Sequence, residues 1–144
     1  MAKKEALKGF SPLRRYKNDD AAVEQGVWRE IEGGAAKLLI ARFNNNAHQE
    51  YLRAERVKHA NKLSENSKDN DDFLIELGNR AMSKHILKGW EGILDEDGVT
   101  PLPFNEDNAY KLLSEVEEFS TLVFNLSMDA EQYRLYREED AVKN

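Results

Sequence analysis

The stretch Leu87-Lys88-Gly89-Trp90-Glu91-Gly92-Ile93-Leu94-Asp95-Glu96-Asp97-Gly98-Val99-Thr100-Pro101-Leu102-Pro103-Phe104-Asn105 decides how the rest of the chain is read. Before it, Phe73 to Lys88 predicts an amphipathic helix, in which Leu74, Leu77, Ala81 and Met82 share a face with Ile75 and Ile86 on its shoulder. Gly89 stands where helices commonly end on a left-handed glycine. Asp97-Gly98 reads as a tight turn, and Pro101 and Pro103 keep their neighbours extended. Asn105 then caps a further helix, with Glu106 and Asp107 against its positive end and Phe104 placed to staple onto Ala109. Ala109, Leu112, Leu113 and Val116 form its apolar stripe, continued by Phe119, Leu122, Val123 and Leu126.

Working outward, Val27–Ile31 and Ala36–Phe43 are apolar runs separated by Glu32-Gly33-Gly34. Two glycines between such runs predict a hairpin, because both accept positive φ at little cost. The leucine-rich second run also fits a buried helix, but the hairpin is preferred. Asn44-Asn45-Asn46 supplies turn and cap residues for a helix from Ala47 to about Lys62. Leu63 to Asp72 reads as a polar loop, and Asp129 with Gln132 as a capping box for a last helix carrying Tyr133 and Tyr136. The fold class expected is α+β, mainly α-helical, with four or five helices and one or two small β-hairpins. Residues 1–25 are expected to be a basic, extended N-terminal arm, free to order on a partner or fold back, and 26–144 a single mainly helical domain.

The chain has 144 residues, enough for one ordinary domain, and no cysteine, which removes disulfides, thiol chemistry and cysteine-rich zinc sites. Met1 to Phe10 lacks the apolar run of a secretory signal, and no eighteen-residue apolar stretch occurs, so a soluble protein is expected. The net charge of -6 is uneven: Met1 to Asn18 holds six bases against one acid, Trp90 to Asn144 fourteen acids against four bases. Lys3, Lys4, Lys8, Arg14, Arg15 and Lys17 thus form a candidate electrostatic arm, facing a partner or another copy of the chain, although a solvated tail explains it equally well.

Constellations that carry chemistry are scarce. Asp95-Glu96-Asp97-Gly98 resembles a calcium loop only in its acids: the bidentate position falls on Phe104, and two prolines interrupt it. His48 and His59 are eleven residues apart, too far to share a metal, and His85 sits on an apolar helix face, as core histidines do. No Gly-x-Ser-x-Gly element, phosphate loop or dinucleotide fingerprint is present. A non-enzyme without cofactor or metal is expected.

The segments Leu87–Ile93, Asp95–Gly98, Pro101–Asn105 and Asn108–Leu113 together look like the C-terminal half of tail assembly chaperones of long-tailed, siphovirus-like bacteriophages. Gly26-Val27-Trp28, Leu39-Ile40-Ala41-Arg42 and Asn44-Asn45 are similar, more loosely, to that family's opening. The resemblance spans roughly Gly26 to Tyr133. It implies a protein of the host cell cytoplasm that binds the tape measure protein, keeps it soluble and gathers tail tube subunits around it. It makes Trp28, Arg42, Trp90, Asp97, Gly98, Pro101, Pro103, Phe104 and Asn105 candidates for partner binding or for shaping the motif. Ordinary core packing is the simpler reading of Trp90, Leu102 and Phe104. Two alternatives stand beside it: a minor structural or adaptor protein of the tail, and a nucleic-acid binder acting through the basic arm, which the acidic body opposes.

Overall fold

The computed structural model describes residues 8–64 and 68–137. Two short helices, α1 (Pro12–Arg15) and α2 (Asp20–Gln25), precede strands β1 (Val27–Ile31) and β2 (Ala36–Ile40). Helices α3 (Asn46–Lys58), α4 (Ala60–Leu63) and α5 (Lys68–His85) follow, then strand β3 (Leu87–Glu91), helices α6 (Glu106–Glu115) and α7 (Glu117–Ser127), and a 3-10 turn at Ala130–Tyr133. The expected α+β, mainly helical class is what is found.

The hairpin forms as the two glycines require. Val27 pairs with Ile40 and Ile31 with Ala36. Gly33 and Gly34 both take positive φ, at 64° and 93°. Beyond the hairpin, β2 also pairs antiparallel with β3, giving a three-stranded sheet in the order β1-β2-β3. Here the structure corrects the sequence reading. The helix ends at His85, and Gly89 lies inside a strand instead of capping a helix. The left-handed glycine is Gly92, at φ 78°.

A bulge explains the disguise. Leu39 pairs with Gly89 but Ile40 pairs with Leu87, so Lys88 is the extra residue. Without it, Lys88 would face the core opposite Ile40; with it, Leu87 does, and Lys88 stays exposed. One sheet face then carries Leu38, Ile40, Leu87 and Trp90 into a core completed by Met82 and Ile86, Ala109 and Leu113 of α6, and Val123 of α7. Their burial is the main driving force for the fold, at roughly 1.5–3 kcal/mol for each large side chain.

Other expectations shift by a turn or more. Residues 68–72, expected as loop, are helical, and Asn70 is buried within α5. Leu74, assigned to the apolar face, is exposed. Val116 breaks the long C-terminal stripe into α6 and α7, and Asp129 makes no side-chain cap: its carboxylate accepts from Arg29 at 3.1 Å.

Gly92 meets the backbone of the β1–β2 turn. A Cβ there would lie 2.5 Å from the Ala35 carbonyl oxygen and 3.1 Å from Ala36 Cα. Gly92→Ala should therefore cost about 2–3 kcal/mol of unfolding free energy, combining left-handed strain with a backbone clash. Gly98, with φ 71° and open space around it, should lose only the strain on the same substitution, about 1–2 kcal/mol. Urea unfolding of the two variants checks the difference.

Candidate protein-binding surfaces

Among the described residues, the helices pack on the sheet face that carries Leu38, Ile40, Leu87 and Trp90. On the other face the cross-strand row Trp28–Leu39–Gly89 runs beside the row Glu30–Lys37–Glu91. Lys37 and Glu91 form an exposed ion pair at 3.9 Å. Trp28 is 47% exposed. The missing side chain at Gly89 leaves room for its indole: a Cβ there would stand 3.6 Å from Trp28 Cη2 and 3.5 Å from Leu39 Cβ. Trp28, Leu39 and Gly89 thus make a flat apolar strip with charges along one side. Trp28 and Trp90, both candidates from the sequence, lie on opposite faces of the sheet and do not meet.

Trp90 is core. Its Nε1–H donates to the Leu102 carbonyl at 2.8 Å, and its ring meets Phe104 edge-on at 4.9 Å. This fastens the following segment to the body. Beyond the fastening, Asp95 N–H donates to Thr100 O and Leu102 N–H to Ile93 O, with a bridge between Leu94 and Pro101. Asp97 closes the tip by accepting from the N–H groups of Val99 and Thr100 and from the Thr100 hydroxyl. These hydrogen bonds, the hydroxyl foremost, hold its carboxyl below the usual carboxylate range. Gly98 supplies the left-handed residue, Pro101 and Pro103 are exposed, and Asn105 caps α6 through Asn108 N–H at 2.7 Å. Of this group, Trp90, Phe104 and Asn105 build the fold, while Asp97, Gly98 and Pro101 shape an exposed acidic tip with Val99 upon it.

Arg42 opens onto a cleft of about 650 Å³ between α2 and the β2–α3 turn, lined also by Glu24, Phe43, Asn44 and Met128. Its guanidinium donates to Asn18 Oδ1 at 2.9 Å, and Glu24 accepts from the Asn46 N–H at 2.7 Å. Beneath them Asn45 does more than the cap expected of it. Its Oδ1 accepts from His48 N–H, while its Nδ2 donates to the carbonyls of Arg42 and His85, all at 2.9 Å. Nothing in an Asn-Asn-Asn run distinguishes this buried residue from its exposed neighbours. His48 is buried too, its Nδ1 accepting from the N–H of Asn44, which holds a positive φ of 64°. Burial first, and the neighbouring His85 second, push its pKa below the ordinary value of 6.5.

Of the candidate arm, Lys3 and Lys4 lie outside the described residues, while Lys8, Arg14 and Lys17 are exposed. The expectation of an extended arm meets two helical segments over residues 12–25 that are tied to the chain's other end. Asp19 N–H donates to Tyr133 O at 2.7 Å, Leu135 N–H to Lys17 O at 2.8 Å, and Arg15 to Glu131 at 3.2 Å. Tyr133, fully buried, in turn donates its hydroxyl to Ile40 O at 2.9 Å. That burial pushes the Tyr133 phenol up to about 12.

Among the described residues no three His, Cys, Asp or Glu side chains gather as a metal-holding group, and no helix is long and apolar enough to cross a membrane. Residues 43–144 match the family described as YdaY prophage protein. No curated protein and no solved structure matches the chain.

The geometry of His48 sets a pH dependence. Its folded-state pKa lies below that of the unfolded chain, so the unfolded state binds the proton more readily. The stability it contributes is fully present above about pH 6.5 and is lost as pH falls through the depressed value. Urea midpoints at pH 7.5 and pH 5 should show lower stability at the acid value, with the drop reduced in His48→Gln, whose amide oxygen still accepts a hydrogen bond. Separately, Asn45→Asp keeps the cap acceptor but sets a carboxylate against two carbonyl oxygens; it should cost about 2–4 kcal/mol by the same measurement.

Proposed function

We propose that this chain, which belongs to the YdaY prophage protein family, is a tail assembly chaperone that holds a client protein without catalysis. The client in this reading is the tape measure protein, and the work is done in the host cell cytoplasm while tail tube subunits gather. The phage-derived family supports the setting, and the likeness of residues 87–113 to tail assembly chaperones supports the role.

One observation carries the reading furthest: the half-exposed Trp28, lying beside the half-buried Leu39 and Gly89 on the outer face of the sheet. A half-exposed tryptophan held flat across a sheet has already lost much of its rotamer freedom, so docking an apolar segment there costs less ordering than it would on a mobile side chain. The charged row Glu30–Lys37–Glu91 beside it keeps the strip soluble when no client is bound. Aromatic anchors of this kind carry a disproportionate share of binding energy at protein interfaces.

Co-expression with the tape measure protein of the same prophage is the direct test. The chain should raise the soluble yield of that protein and co-purify with it, and be scarce in finished virions examined by mass spectrometry. Trp28→Ser should weaken capture at least about ten-fold, which corresponds to about 1.4 kcal/mol, in a chain that circular dichroism shows still folded at the assay temperature. An unchanged tape-measure yield with no co-purification would overturn the proposal.

A further inference from the structure

A second surface is built where the two ends of the described chain meet. Arg14 stands over the Tyr136 ring at 3.9 Å, Arg134 stands over the Tyr16 ring at 5.1 Å, and Phe10 meets Tyr16 edge-on at 6.3 Å. The backbone bond from Leu135 to Lys17 and the bridge between Asn18 and Arg134 hold the two segments side by side. The apolar groups on this surface are unusually open: Leu13 is 88% and Phe10 70% exposed, with Leu135 also in contact with water.

Its charge is opposite to that of the chain as a whole. Glu131 accepts from both Arg15 and Arg134. Arg14 and Lys17 add positive charge with no ion-pair partner among the described residues, on a protein of net charge -6. An anionic ligand is attracted to these groups. The same surface asks that ligand for apolar groups, because Leu13, Phe10 and Leu135 gain only by being covered.

Those two demands separate protein from nucleic acid. A single strand of nucleic acid binds by stacking bases on open aromatic faces. Here a guanidinium already covers one face of both Tyr16 and Tyr136, and the most exposed large apolar side chain is an aliphatic one, Leu13. An acidic amphipathic helix satisfies both demands at once, with leucines over Leu13, Phe10 and Leu135 and carboxylates toward Arg14 and Lys17. We infer that the surface formed by residues 10–17 and 134–136 docks an acidic amphipathic helix of a partner protein. The inference rests on the chain being a protein binder, but not on the sheet face or on the identity of the client.

The test uses the full chain and three fluorescent probes: a leucine–glutamate peptide of about 18 residues at helical spacing, the same peptide with lysine for glutamate, and a single-stranded oligothymidine. The glutamate peptide should bind at least about ten-fold more tightly than the lysine peptide, and its affinity should fall with added salt. Leu13→Ser combined with Lys17→Glu, both exposed, should weaken it at least about ten-fold with an unchanged melting temperature, whereas Trp28→Ser should leave it as it was. Equal affinity for the two peptides, undiminished binding by the double variant, or tighter binding of oligothymidine would each overturn the inference. If the glutamate peptide is held while the tape measure protein is not captured, the tail-assembly reading alone fails.

Discussion

The fold turns on one buried amide. Asn45 spends its side-chain oxygen on the first turn of α3 and its nitrogen on the carbonyls of Arg42 and His85. Arg42 follows the end of β2, and His85 ends α5 just before β3, so a single side chain sets where the central strand stops and the third begins. The adjacent bond from Ala41 N–H to Ile86 O and the pairing of Ile40 with Leu87 continue the registration. An amide with both its donor and acceptor capacity in use rewards only one arrangement of three segments, and leaves unpaired groups in any other.

How far this was legible depends on the element. The β1–β2 hairpin and the Asn105 cap could be read because each is specified locally, by Gly33-Gly34 in one case and by Asn-Glu-Asp before an apolar stripe in the other. β3 could not. Leu87 and Trp90 point into the core three residues apart, a spacing that imitates a helix and arises from the bulge at Lys88. The same limit hid the pairing of residues 17–19 with 133–135, which is made of isolated backbone bonds between segments over a hundred residues apart and leaves no periodic mark.

The candidate residues divide along a similar line. Phe104 and Asn105 stood out because their side chains have strong local jobs, Trp90 through the family resemblance, and all three prove structural. Trp28, inside the first predicted strand, stood out through the family resemblance; what makes it a surface is Gly89, two strands away in the sheet and read from the sequence as a helix stop. Arg14 and Lys17 were visible as charge, but Arg134 and Tyr136, which complete their surface, belong to the acidic half of the chain. The combination of aliphatic, aromatic and basic groups appears only once the two segments are side by side.

The chain has two tryptophans, and the sheet separates them. Trp90 is enclosed, with its indole nitrogen bonded to a carbonyl, so its emission senses whether the core is intact. Trp28 lies in contact with water on the far side, open to collisional quenchers. The molecule therefore carries two built-in optical reporters with different meanings. A blue shift and loss of iodide quenching at Trp28, with Trp90 unaltered, would be the signature of a segment settling on the open face of the sheet, readable without any label.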